Sequence, residues 1–208
     1  RKKQMEVYRD KIICEQNFPK KSIKDLGTID RGNGLQKKDF TDSGVGCIHY
    51  GQIYTRLNSS CNKTLTYVSL SLAEKLTKVH PGDLVIACTS ENVEDVCKSV
   101  VWLGKEDIVT GGHACVFRHK ENPKYISYCF QTSNFALQKA QYAYGAKVID
   151  IKTEKLCMIE LPIPPLSVQQ EIVRTLDTFE SYISKLEKLI ALRQKQYEYY
   201  REKLLTFE

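Results

Sequence analysis

Three prolines fall within four positions in Leu161-Pro162-Ile163-Pro164-Pro165-Leu166, and from there to about Thr206 the chain holds neither Gly nor Pro. The prolines fix φ and remove backbone donors, so this run cannot be helix interior. Ser167 then stands as the expected N-cap, and Gln170, three residues on, completes an expected capping box. Beyond it Ile172, Leu176, Phe179, Ile183, Leu186, Ile190, Arg193, Tyr197, Tyr200 and Leu204 follow one another in alternating steps of four and three. A period of 3.5 is that of a coiled-coil seam rather than of an ordinary surface helix. A helix over residues 167–206 spans about 60 Å at 1.5 Å per residue. Such a seam cannot be buried by a lone helix, so a partner helix is expected. Where no other half is present, that partner is a second copy, antiparallel.

The chain carries a second version of the end of this helix. Residues 1–11, Arg-Lys-Lys-Gln-Met-Glu-Val-Tyr-Arg-Asp-Lys, match residues 193–203, Arg-Gln-Lys-Gln-Tyr-Glu-Tyr-Tyr-Arg-Glu-Lys, at seven of eleven positions. The seam carries over too, with Arg1, Met5, Tyr8 and Ile12 in the places of Arg193, Tyr197, Tyr200 and Leu204. The two ends therefore read as copies of one element.

The sequence between them is of another kind. Residues 17–160 hold all eleven glycines. Strands are expected at 46–50, 65–68, 83–88, 99–103, 114–118, 148–151 and 157–161. Helices are expected at 71–76 and from Pro123 to about Gln141, with a break near Ser133-Asn134. Turns are expected at Pro81-Gly82-Asp83 and Gly111-Gly112. The expected fold class is α+β: a mixed α/β domain followed by a long coiled-coil helix. The expected divisions are 1–16, a helical segment repeating the helix end; 17–166, the globular domain; and 167–208, the spacer and dimerisation helix.

With 42% hydrophobic and 27% charged residues, the composition excludes wholesale disorder. No stretch reaches the ~18 apolar residues of a membrane span. The basic start leads into no apolar signal core. The expected location is cytoplasmic, away from membranes. The chain begins with Arg, as expected of a processed chain or a fragment. The eight cysteines show no CxxC spacing, and several sit in apolar runs such as Leu84-Val85-Ile86-Ala87-Cys88. They read as reduced, buried thiols. The net charge of +6 is uneven, with +6 over residues 1–38, −3 over 39–116 and +3 over 117–208. That balance is compatible with nucleic acid without demanding it.

Catalytic patterns are missing: there is no GxGxxG, P-loop, GxSxG or HExxH. The four histidines, His49, His80, His113 and His119, have no metal-ligand spacing. His80 and His119 read as surface residues, and a dyad of Cys115 with His113 or His49 is not favoured. No catalytic residue, metal or cofactor is expected. Four loops point elsewhere. Residues 31–38 join flexible backbone to Arg31, Gln36, Lys37 and Lys38, and residues 50–56 set Gln52, Tyr54 and Arg56 side by side. Thr89-Ser90-Glu91-Asn92 follows an apolar strand, and Tyr142-Ala143-Tyr144-Gly145-Ala146-Lys147 closes a helical segment. Arg and Lys suit guanine edges and phosphates, and Asn and Gln suit adenine. Arg31, Gln36, Lys37, Lys38, Gln52, Tyr54, Arg56 and Lys147 are the candidate DNA-facing residues.

Several segments together carry a family resemblance: the Pro-rich run 161–166, Gln169-Gln170-Glu171-Ile172, and Tyr199-Tyr200-Arg201-Glu202-Lys203-Leu204-Leu205-Thr206-Phe207. Pro81-Gly82-Asp83-Leu84-Val85-Ile86-Ala87 and Gly145-Ala146-Lys147-Val148 add to it. The chain resembles the specificity (S) subunit of type I restriction-modification systems over essentially its whole length. The resemblance implies a non-catalytic subunit that reads double-stranded DNA through target recognition domains. It further implies paired antiparallel helices that separate those domains and dock methyltransferase (M) subunits, with restriction (R) subunits joining through the complex. Any S-adenosylmethionine or ATP would belong to those partners. Such a subunit usually has two recognition domains, and here one is found, so the chain is expected to be a half subunit, pairing with itself or with the other half. Two rival readings are a coiled-coil adaptor that binds protein, and a fragment of a methyltransferase or nuclease. The lack of an Asn/Asp-Pro-Pro-Tyr/Phe motif argues against the methyltransferase.

Overall fold

The computed structural model describes residues 2–206; Arg1 of the repeat and Phe207 of the C-terminal motif lie outside the described residues. In chain order the elements are α1 (Lys2–Cys14), β1 (Lys20–Ser22), α2 (Ile23–Leu26), β2 (Gly27–Arg31), a 3-10 turn (Lys37–Asp39), β3 (Val45–Ile48), α3 (Tyr50–Thr55), β4 (Ser60–Cys61), β5 (Thr66–Val68), α4 (Leu70–Ala73), β6 (Thr77–Val79), β7 (Leu84–Ala87), β8 (Thr89–Ser90), β9 (Ser99–Trp102), β10 (Ile108–Thr110), β11 (Ala114–His119), α5 (Pro123–Cys129), α6 (Ser133–Ala140), β12 (Ile149–Asp150), α7 (Thr153–Leu156), β13 (Glu160–Pro162) and α8 (Leu166–Leu205). The fold is α+β, a mixed α/β part followed by one long helix.

The main sheet has strand order β2-β11-β7-β9-β4. All four residues of β7 are buried, which accounts for its unbroken apolar run. Side chains alternate across a strand. Leu84, Ile86, Cys115 and Phe117 therefore enter a core shared with α1, α5, α6 and α8, while Val85, Ala87, Ala114 and Val116 enter a second core with Ile48, Ile53 and Val79. A four-stranded sheet, β5-β3-β10-β6, carries a third cluster around Cys47, Val68 and Val109. Strands β1 and β13 pair antiparallel, with Lys20 opposite Pro162, so the chain enters and leaves the globular part at one place. Helices α1 and α8 emerge side by side as a result.

Several expected elements end elsewhere. The strand expected at 46–50 stops at Ile48, because the His49 ring caps the following helix: its Nδ1 accepts from the Gly51 N–H at 3.1 Å. The strand expected at 157–161 begins only at Glu160; the Cys157 N–H is still bonded to the Thr153 carbonyl at 2.9 Å, closing α7. The one expected at 148–151 shortens to Ile149–Asp150. The helix expected at 71–76 is α4, Leu70–Ala73. The break expected near Ser133 lies just before it, between α5 and α6, where Thr132 caps α6. His119, expected at the surface, is largely buried, and desolvation pushes its imidazole pKa down to about 4. Five cysteines are buried and three partly buried, and the Cys88 and Cys115 thiols touch at 2.8 Å.

The capping box at Ser167 does not form. Helix α8 starts at Leu166, and the Pro165 carbonyl accepts from the Val168 and Gln169 N–H groups, which leaves Ser167 exposed inside the first turn. The residue that anchors this end is Gln169, fully buried. Its Oε1 accepts from the Asn122 N–H at 3.0 Å, and its Nε2 donates to the Pro164 carbonyl at 2.8 Å and to Glu121 at 2.7 Å. Replacing Gln169 by Ala strands the part-buried Asn122 N–H and the buried Pro164 carbonyl, so thermal or urea unfolding should show a loss of about 1–3 kcal/mol.

The seam divides into three parts. Ile172 and Leu176 are buried in the globular core, which corrects their expected place in an intermolecular seam. Apolar periodicity marks a buried stripe without saying what buries it. Phe179 and Ile183 lie along α1, which runs antiparallel to α8. The Tyr8 and Phe179 rings are 5.1 Å apart, and Lys2 Nζ pairs with Glu187 Oε1 at 2.6 Å. Beyond Glu187, Ile190, Tyr197, Tyr200 and Leu204 are exposed. Leu186 lies at the end of the covered stretch and Arg193 within the exposed one.

Candidate nucleic-acid interface

A cleft of about 820 Å³ opens between the second core and the loops at the end of the main sheet. One wall is α3, with Tyr50, Gln52, Tyr54 and Thr55; Arg56, its C-cap, extends that wall. The other wall is β8 and the turn after it, Thr89, Ser90, Glu91, Asn92 and Asp95. Lys37, Phe40 and His113 also line it, and exposed Val148 stands at its rim. Four of the eight candidate residues, Lys37, Gln52, Tyr54 and Arg56, thus meet in one place. Gln36 and Lys38 flank Lys37 and are exposed, and Lys147 is exposed next to Val148. Arg31 is set apart. Its guanidinium pairs with Asp150 at 2.9 Å, which raises its pKa further, and β12, the strand of Asp150, lies beside β8.

The side chains differ in what they have left to offer. Gln52 is buried; its Oε1 accepts from the His49 N–H at 3.0 Å and its Nε2 donates to Thr66 Oγ1 at 3.0 Å. Asn92 is engaged by Asp95, through the backbone N–H at 2.7 Å and the carboxylate at 3.0 Å. The Tyr54 hydroxyl donates to the Thr89 carbonyl at 2.7 Å, and burial pushes its pKa up. All three groups line the cleft, and the Tyr54 bond ties its two walls together. Exposed Lys37, Lys38, Arg56, Lys147 and Gln36 keep their ends toward solvent. The lining is not uniformly basic. Glu91 and Asp95 face the same space, and the Asn92 amide and Lys98 hold the Asp95 carboxyl below the usual range. A carboxylate in such a place suits a cytosine amino group.

Sequence reasoning missed the rings. Phe40, His49, Tyr50 and His113 form a chain along the cleft, with successive centroids 5.7, 4.5 and 5.0 Å apart. Desolvation and the nearby Lys37 charge lower the His49 pKa, so its Nδ1 stays free to accept from Gly51. His113 has φ of 67° and is exposed at the turn before β11, while Cys115 points into the other core. Among the described residues, no three His, Cys, Asp or Glu side chains gather as a metal site, and no helix is long and apolar enough to cross a membrane.

The family profile of the type I restriction modification DNA specificity domain matches residues 15–194. The chain belongs to this family. It is 28% identical over 220 residues to the specificity subunit of the type I restriction enzyme EcoR124I/EcoR124II of Escherichia coli, covering 100% of this chain and 53% of that one. It is 33% identical over 138 residues to the putative type I restriction enzyme specificity subunit S.HindORF215P of Haemophilus influenzae, covering 62% of this chain and 35% of that one. Its fold matches the HsdS subunit of Thermoanaerobacter tengcongensis with a TM-score of 0.63 at 16% identity, over 90% of this chain and 45% of that one. This specificity-family chain therefore spans about half or less of the length of these relatives.

Proposed function

We propose that this chain reads one half of a split site on double-stranded DNA, as a non-catalytic specificity component of a type I restriction-modification complex. The observation that carries the reading is the cleft, where exposed cations of two loops meet amide, carboxylate and ring groups. Lys37, Lys38, Arg56 and Lys147 would hold phosphates and fix register; Gln36, Glu91 and the ring chain would face base edges. Gln52, Tyr54 and Arg31 would position these groups. The unit 17–166 would be the target recognition domain. Helix α8, in the unit 167–208, would serve as spacer, and the segment 1–16 would belong with it.

The partners in this reading are M subunits docked on the helices and R subunits reached through the complex. A second copy, or the other half of an S subunit, completes the site, in a cytoplasmic assembly. Two identical readers in opposite orientation would read an interrupted palindrome. The span of α8, about 60 Å, bounds the gap at about 18 base pairs of 3.4 Å each. The reading is tested by combining the chain with a type I M subunit and mapping the methylated sites. One short motif at every methylated site is the expected outcome. Methylation without a shared motif, or by the chain alone, would favour a different role. If the chain captured protein but showed no salt-dependent DNA binding, it would be an adaptor.

A further inference from the structure

Two residues of α6 are buried, Phe135 and Lys139, four positions apart on one face of the helix. Phe135 is an ordinary occupant of such a face. An apolar residue would be the cheapest occupant of the other place too, because burying an ammonium is costly unless it is hydrogen-bonded. Lys139 is only 6% exposed. Its Nζ donates to the Glu94 carbonyl at 2.6 Å and to the Val96 carbonyl at 2.7 Å. Burial pushes its pKa down, and the nearby Asp95 and Glu94 carboxylates oppose that shift.

The two accepting carbonyls flank Asp95, in the segment that joins β8 to β9 and brings Glu91, Asn92 and Asp95 to the cleft. The start of this segment is held by the pairing of β8 with β12 and by the Tyr54 hydroxyl on the Thr89 carbonyl. Its end runs through buried Cys97, whose N–H donates to the Ala87 carbonyl at 2.9 Å and whose φ is 64°. A non-Gly residue keeps that left-handed conformation only where its surroundings fix it. Lys139 fixes the carbonyl just before it. The Lys139 carbonyl in turn accepts from the Tyr142 and Ala143 N–H groups, both at 3.0 Å, at the start of the loop that carries Lys147.

We infer that Lys139 is a positioning residue for the cleft, holding from behind the turn that presents Glu91 and Asp95. The inference rests on the reading of the cleft as a DNA reader. A carboxylate discriminates a cytosine amino group only if it is already in place when DNA arrives. Three carboxylates, Glu91, Glu94 and Asp95, lie within five positions of this turn, and the ammonium beneath them offsets their mutual repulsion. Being buried, Lys139 touches no phosphate. It therefore acts on selectivity and not on affinity for DNA in general.

The test compares the full chain with Lys139→Met, which removes both donors, and Lys139→Arg, which keeps them. Binding to a duplex motif selected by the parent is measured beside binding to a random duplex, with hydrogen exchange of the backbone amides. For Lys139→Met, affinity for the random duplex should stay within about twofold of the parent, with an unchanged salt slope. Its preference for the motif should fall at least about tenfold, and the amides of residues 91–98 should exchange faster. Lys139→Arg should recover most of the preference. Gln169→Ala, which weakens the fold away from the cleft, should keep the parental preference, so that loss of stability alone is told apart. If Lys139→Met does not fold, Lys139→Gln, with one donor, takes its place under the same expectations. A parent that selects no motif would remove the reading of the cleft and this inference with it. A parent that selects a motif, beside a folded Met or Gln variant with the same preference, would overturn the inference alone. So would unchanged exchange over 91–98, or an Arg variant no better than the Met one.

Discussion

Replacing Leu176 by Ala is expected to destabilise the chain by about 2–5 kcal/mol, whereas Leu192→Ala is expected to change stability by less than about 0.5 kcal/mol. The two leucines lie on one helix and remove the same atoms. Leu176 is 0% exposed, in the core that also holds Phe117, Tyr125 and Phe135, and its loss leaves a cavity that rigid neighbours fill only in part. Leu192 is 64% exposed, on the uncovered part of α8. Chemical unfolding of both variants at one protein concentration measures the contrast. Equal losses at the two positions would mean that the distal part of α8 is covered in the isolated chain.

The second large effect concerns salt. A variant with Ala at Lys37, Lys38, Arg56 and Lys147 should lower the slope of log affinity against log salt by about 3.6, at about 0.9 for each phosphate that is no longer neutralised. Between about 50 and 200 mM salt, the parent should then lose about 10²-fold more affinity for duplex DNA than the variant does. All four side chains are exposed, so folding should be unaffected. Anisotropy titrations on one duplex across that salt range give both slopes. An unchanged slope would place the DNA-facing surface elsewhere.

Much of the architecture was legible because it rests on local rules. The run 83–88 shows as a strand because both of its faces are buried, and the prolines at 162–165 mark the start of α8 because they exclude helix. What was missed depends on tertiary pairing. Strands β6 and β10 are three residues each, too short for a periodic signal, and they exist because each pairs with the other. Ile172 and Leu176 fit the heptad as well as Ile190 does, yet they are buried by the globular part. A helical stripe specifies a direction and not a partner. At the cleft, residue type pointed to Gln52 and Tyr54, but type does not reveal whether an amide or phenol is already bonded within the chain. The rings were hidden for a similar reason. His49 is an unusual cap, and the sequence order of Phe40, His49, Tyr50 and His113 does not show that they meet.

Selection from a randomised duplex pool shows whether this domain reads base sequence through the cleft. The full chain is used to retain duplex at moderate salt, and the retained molecules are sequenced over successive rounds. One short motif is expected to be enriched, and that enrichment to be lost, with binding retained, when Gln36 and Glu91 are replaced by Ala. A pool that is retained in a salt-dependent way but stays random, or a motif unchanged by those replacements, would contradict it.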